Sequence, residues 1–216
     1  MKKFLTTAVL SLTLMVSLAA PAFAAGDNYT TCMAAIDEHR TIQSQAHQAA
    51  QAMRKMGYSE DSAYVQSAKT TWKEAAAEIA AYERLAQYSD EDIRILATTV
   101  YYEAGSTTDQ LREYVAQVVL NRVASSRFPN SVKAVVTQPG QYAGKYAAVS
   151  TTQAAQNASS TNYLSCVSAA KKAMMGRVDM PANVLFQANF AQGSGVWKSV
   201  YFNSGWFSST SYFCYL

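Results

Sequence analysis

Residues 89–105 read SDEDIRILATTVYYEAG, and the reading of everything downstream depends on taking them as a helix. Ile93, Leu96, Ala97, Val100 and Ala104 recur at the spacing of one helical face. Ser89 suits the N-cap, and Asp90, Glu91 and Asp92 fall in the first turn, where the helix dipole favours negative charge. Gly105 suits a left-handed C-cap. Glu103 runs against this logic. It is an acid in the last turn, and the helical wheel sets it beside Leu96 at the margin of the apolar stripe. Partial burial and the negative helix end both penalise its charged form, which would raise its pKa and suit it to act as a general acid. The alternative is a boundary residue bonded to the backbone of the next loop.

Working downstream, Thr107 and Gln110 make a capping box, Asp109 occupies a first turn, and Leu111, Val115, Val118 and Val119 form a buried stripe with Glu113 on the opposite, solvated side. A short helix is predicted over Ser131–Thr137, a turn at Pro139-Gly140, and a further helix along TNYLSCVSAAKKAMM closed by Gly176. The tail then changes period. VLFQANF, GVWKSVYF and STSYFCYL are rich in β-branched and aromatic residues and are separated by Gly and Ser, the pattern of an antiparallel sheet. Helices followed by strands make the class α+β.

Upstream, residues 31–85 are rich in Ala, Gln, Glu and Lys and are broken at Gly57-Tyr58-Ser59, a C-cap glycine followed by a capping serine, so they read as a helical hairpin. Ala34, Ile36, Met53, Met56, Val65, Trp72, Ile79 and Tyr82 form its thin apolar stripe, available to pack the two helices together or against a protein partner or second copy. Residues 1–24 have a basic start, an apolar centre and a small-residue site at Ala22-Phe23-Ala24, which is a secretory signal peptide. The expected organisation is therefore a signal peptide over 1–24, a hairpin over 25–88 and a second domain over 89–216, in a secreted or extracytoplasmic protein.

The chain of 216 residues carries 18 basic and 15 acidic side chains. Losing Lys2 and Lys3 with the signal brings the two nearly level, so net charge gives no reason to expect nucleic acid as a partner. Cys32, Cys166 and Cys214 are an odd number for an exported protein; Cys166 with Cys214 is the preferred disulfide, both lying in the second domain. His39 and His47 are the only histidines, lack a neighbouring Cys or an HExxH pattern, and read as solvated helix residues, with no metal or other cofactor expected. With no histidine beyond Ser89, His-assisted nucleophilic chemistry would have to borrow from the hairpin. The acids there are Asp90, Glu91, Asp92, Glu103, Asp109, Glu113 and Asp179. Glu103 alone among them lacks a structural explanation.

The strings LATTVYYEAG, VAQVVLNRV, RFPNSVKAVV and QPGQY, with the aromatic tail, resemble the cell wall hydrolase family of the SleB-type spore cortex-lytic enzymes over about residues 90–216. The resemblance implies a small lysozyme-like domain that cleaves peptidoglycan glycan strands, with the Glu of the YxEA motif, here Glu103, as the catalytic acid. It further implies lytic transglycosylase chemistry after N-acetylmuramic acid or its lactam, in spore cortex during germination or in vegetative wall; the alternatives are a muramidase using water and a silent peptidoglycan-binding module. The chain departs from the pattern at Gly105-Ser106-Thr107, where relatives commonly have Arg-Gly-Glu, at Tyr102, where many have a small residue, and at Ser211, in place of a histidine. Gln138, Gln141 and Tyr142 are candidates for sugar or peptide contacts, with loop structure as the alternative. Asn189, Trp197 and Tyr201 would line the opposite wall, Trp197 and Tyr201 sharing one strand face. Asn121 and Arg122 read as scaffold, with Arg122 bonded to a carbonyl or an acid.

Overall fold

The helix that opens at Asp90 is closed at its start by a complete capping box: Ser89 Oγ accepts from Asp92 N at 3.1 Å, and Asp92 Oδ2 accepts from Ser89 N at 3.1 Å. In the computed structural model, which describes residues 27–140, 142, 160–203, 205 and 208–216, the chain forms two compact units, Met1–Gln87 and Tyr88–Leu216. The expected signal peptide and Gln141 lie outside the described residues.

The first unit is a pair of helices, α1 (Asn28–Lys55) and α2 (Ala63–Leu85). Gly57 takes the left-handed conformation at φ +85° that ends α1, while the residue that caps α2 is Ser62 and not Ser59. The seam is narrower than the predicted stripe. Cys32, Ile36, Ala46, Ala50 and Met53 face Val65, Ala68, Ala75, Ala81 and Leu85, whereas Ala34, Met56 and Trp72 are exposed. Alanines let the helices approach closely, and the ends are tied by Asn28 Nδ2 donating to the Leu85 carbonyl at 2.9 Å.

The second unit is α+β. Its helices are α3 (Asp90–Ala104), α4 (Asp109–Ala124), α5 (Val132–Val136) and α6 (Thr161–Met174), followed by β1 (Val184–Ala188), β2 (Gly195–Asn203) and β3 (Ser208–Tyr215). The sheet is antiparallel in the order β1-β3-β2, so the last strand of the chain is the central one. α4 is the hub: it packs against α3, α5, α6 and β1. Val115, Ala116, Val118 and Val119 on α4 are wholly buried with Leu96, Val100 and Phe213, which explains why the helix is apolar over most of its circumference. Among the described residues no helix is long and apolar enough to cross a membrane.

Three local expectations are corrected. The N-cap of α4 is Thr108, accepting from Leu111 N at 3.3 Å, while Thr107 Oγ1 donates back to the Ala104 carbonyl at 2.6 Å. Gly105 keeps right-handed helical angles (φ −57°, ψ −36°) because the end of α3 is capped from outside: the buried Arg112 donates to the Gly105 carbonyl from Nε at 3.3 Å and Nη2 at 2.8 Å. Glu113 is not solvated but half-buried, accepting from Lys172 Nζ at 2.6 Å across to α6.

The disulfide expected between Cys166 and Cys214 is not formed. Both are buried free thiols, as is Cys32. Cys166 sits on α6, which packs on α3 and α4, whereas Cys214 is held in the central strand opposite Phe186 and Val196. The two cysteines therefore belong to different layers of one domain.

Candidate functional site

Glu103 occupies the last turn of α3, half-buried. Burial holds its carboxyl above the ordinary carboxylate range, and the positive charge of Arg122 pulls it part of the way back. The cation at the end of α3 softens the dipole argument, since Arg112 takes up the buried carbonyl of Gly105 there. Desolvation is thus the dominant reason for the raised pKa of Glu103.

Arg122 is placed by α4 and is buried, with 4% of its surface exposed. Its Nε donates to the Leu185 carbonyl at 2.7 Å, and its guanidinium lies 5.2 Å from the ring centroids of both Phe128 and Tyr142. Its Nη1 is buried without a hydrogen-bond partner among the described residues. The neighbouring Asn121 donates to the carbonyls of Pro181 at 2.9 Å and Val184 at 3.0 Å. Consecutive side chains on α4 therefore bolt the helix to the start of β1 and present a cation toward Glu103. The scaffold reading of the two residues holds for Asn121. For Arg122 it is incomplete, because the same side chain also sets the electrostatics of the acid.

Tyr142 is buried and its hydroxyl is pushed up to about 12, first by desolvation, with Arg122 opposing and Glu103 reinforcing the shift. It is a neutral phenol throughout the working range of pH. The ring face expected to pack on a sugar is instead covered by Arg122, so Tyr142 belongs to the support of the site and offers no stacking surface. Glu103, Arg122 and Tyr142 thus form one electrostatically coupled group. Gln138, at the end of α5, is half-buried, and its Oε1 has no partner among the described residues.

The expected opposite wall divides. Asn189 is exposed just beyond β1, and Tyr201 is 64% exposed on β2. Trp197 packs edge-to-face on Tyr114 at 5.2 Å. Trp197 and Tyr201 do not share a face, because β2 bulges at Trp197: Val196 pairs with Cys214 and Lys198 with Phe213, leaving Trp197 as the extra residue. The bulge turns Trp197 and Lys198 together toward Tyr114, while Tyr201, opposite Thr210, points to the other side. Trp197 instead lines a cavity of about 380 Å³ with Tyr114, Glu113, Arg177, Asp179 and Lys198.

Four of the other acids of the unit have partners. Asp109 pairs with Arg112 at 2.6 Å, Glu113 with Lys172, Glu91 with Lys133 at 3.1 Å, and Asp92 with Ser89. Among the described residues no group of three or more His, Cys, Asp or Glu side chains is arranged to hold a metal ion. The residues that sequence reasoning undervalued are Arg112 and Arg122; the signal available was that each is an arginine within a stretch otherwise patterned for burial.

Residues 107–209 match the family model described as Cell Wall Hydrolase, a segment that begins just after Glu103 and contains Arg122, β1 and β2. A spore cortex-lytic enzyme of Bacillus cereus is 32% identical over 113 residues, covering 51% of this chain and 39% of that protein. A spore cortex-lytic enzyme of Bacillus subtilis (strain 168) is 44% identical over 52 residues, 24% of this chain and 17% of that one, and one from Halalkalibacterium halodurans is 43% identical over 54 residues. The match takes in well under half the length of these curated relatives. No solved structure matches the chain.

Proposed function

Residues 107–209 place the chain in the cell wall hydrolase family of the spore cortex-lytic type, and on that premise we propose that it is an exported enzyme that cuts peptidoglycan glycan strands with Glu103 as its single acid and base. The observation that carries this reading is the coupled group itself: a half-buried carboxyl whose pKa desolvation raises, with a buried arginine close enough to stabilise the anion once the proton has left.

The step written for this site is intramolecular. Glu103 gives its proton to the glycosidic oxygen as the bond to C1 of the muramoyl residue breaks, which releases the leaving sugar with a free hydroxyl. The resulting carboxylate takes the proton of the muramoyl 6-hydroxyl, whose oxygen closes on C1 to give a 1,6-anhydro ring. Glu103 ends protonated, ready for another cycle. No second carboxylate is required as nucleophile, in contrast to a retaining glycosidase. That suits a unit whose Asp109, Glu113 and Glu91 are each tied up in ion pairs. Arg122 has two opposed duties: its charge must not drain the proton from Glu103 beforehand, a pull that burial opposes, and it must stabilise the carboxylate in between.

Export rests on the signal-like residues 1–24, and self-association or a protein partner rests on the hairpin; both belong to this proposal. The test is digestion of purified peptidoglycan, with and without muramic lactam, by the native protein and by Glu103→Gln, with fragments identified by mass spectrometry. Anhydromuramoyl ends from the native protein alone are expected. Reducing ends would make it a muramidase that uses water, and binding without fragments would make it a silent module. The preferred substrate distinguishes cortex from vegetative wall.

A further inference from the structure

The cavity beside Trp197 is chemically unlike the Glu103 group. It lies between α4, residues 177–179 and β2, and its volume of about 380 Å³ falls within the usual range of small-ligand sites. Its aromatic wall is rigid: Tyr114 is buried, packs edge-to-face on Trp197 at 5.2 Å and on Phe213 at 5.2 Å, and accepts a hydrogen bond from Lys198 Nζ at 3.0 Å. Around it stand two cations, Arg177 and Lys198, and two acids, Glu113 and Asp179. Glu113 is fixed by Lys172 and Lys198 by Tyr114, so both charges are held in place.

Balanced charges of both signs beside an aromatic wall do not suit a phosphate-rich ligand, which needs an excess of cations, nor an apolar one. They suit a short peptide with a carboxylate at one point and an ammonium at another, separated by an aliphatic stem that lies on Trp197 and Tyr114. We propose that this cavity holds the charged end of the peptide carried by a muramoyl residue, with Arg177 and Lys198 taking a carboxylate and Glu113 and Asp179 an ammonium group. This rests on the peptidoglycan reading above and adds to it a determinant of substrate choice. The spacing is compatible. Tyr114 precedes Arg122 by eight positions on α4, about 12 Å at the helical rise, and an extended peptide of four residues spans about 13–14 Å. The length of such a peptide thus matches the separation along α4 between Tyr114 in the cavity and Arg122, the residue coupled to Glu103. Trp197 takes part because the bulge in β2 turns it inward.

Two measurements on the full chain test this. The first is NMR titration of the native protein and of Lys198→Met with a free tetrapeptide containing a diamino acid and a C-terminal carboxylate, observing the Trp197 indole resonance, which Trp197→Phe assigns. The native resonance is expected to move in a saturable way, with affinity about tenfold lower in the variant. The second compares cleavage of peptide-bearing glycan strands with the same strands stripped by an amidase. The native preference for peptide-bearing strands should fall about tenfold in Lys198→Met and in Asp179→Asn, through KM and not kcat. A Trp197 resonance unmoved by millimolar peptide, or variants that affect both strands equally, would overturn the proposal. If the native protein cut neither strand, the catalytic reading would fail, and the peptide titration would still decide this one.

Discussion

Replacing Glu103 by Gln separates catalysis from stability, because the amide keeps the size and much of the hydrogen-bonding capacity of the carboxyl and removes only its proton chemistry. General acid and base catalysis contributes about 10²- to 10⁴-fold, so the variant should lose activity toward the upper end of that range, about 4–5 kcal/mol of barrier, since one group serves both half-steps. Stability should move the other way. Burial raises the folded-state pKa of Glu103 above its value in the unfolded chain. The folded protein therefore binds this proton more tightly, and the stabilisation that it gives is fully present at acid pH, declines as pH rises from the unfolded pKa through the folded one, and is absent above. Each tenfold difference in proton affinity corresponds to about 1.4 kcal/mol, and each kcal/mol moves the Tm of a chain this size by about 2–4 °C. The partial exposure of Glu103 and the opposing charge of Arg122 keep the effect to a fraction of that for a fully buried acid. Glu103→Gln should thus unfold with the native protein in acid and become the more stable of the two at neutral pH, measured by thermal scans across pH alongside release of soluble glycan. A variant that retains activity, or one that is less stable at neutral pH by an amount independent of pH, would refute the reasoning and make Glu103 a structural boundary residue.

Arg122→Met should lower stability by about 1.5–3 kcal/mol, the range for a hydrogen bond from a charged donor, since the buried Leu185 carbonyl loses its donor; because Arg122 depresses the Glu103 pKa, the alkaline limb of the pH–rate profile should also shift upward. Cys166, whose thiol burial pushes up to about 11, should resist alkylation in the folded protein, and intact mass after alkylation in denaturant should report three free thiols. Phe213→Ala removes a wholly buried ring from the central strand and should lower stability by about 3–5 kcal/mol in urea unfolding.

The helices were legible because their signals are local. The Ser89 N-cap, the short helix behind Ser131 and the left-handed Gly57 involve residues within a turn of one another, so a reading of neighbours suffices. The same holds for the strands, whose order in the chain is plain but whose order in the sheet is not. That Glu103 would be partly buried followed from its position on the wheel, and the structure agrees. Where a neighbour offered a near-equivalent the local reading slipped by a residue or a few, as with Thr108 for Thr107 and Ser62 for Ser59.

What lay beyond the sequence is whatever depends on residues far apart along the chain. Arg112 reaches back to cap α3, and Arg122 spans from α4 to the carbonyl of Leu185; no spacing rule announces either. The bulge at Trp197 arises from the pairing of β2 with β3, and a single extra residue there reverses which side chains face inward. Cys166 and Cys214 share a domain, yet a bridge requires two backbones to come within a few ångströms, and the layering of α6 and β3 sets them apart. The amino-acid pattern thus carries the elements and singles out the acid, because caps, periodicity and charge act over one or two turns. Its electrostatic partner and the charged cavity come into being only when α4 is packed against the sheet.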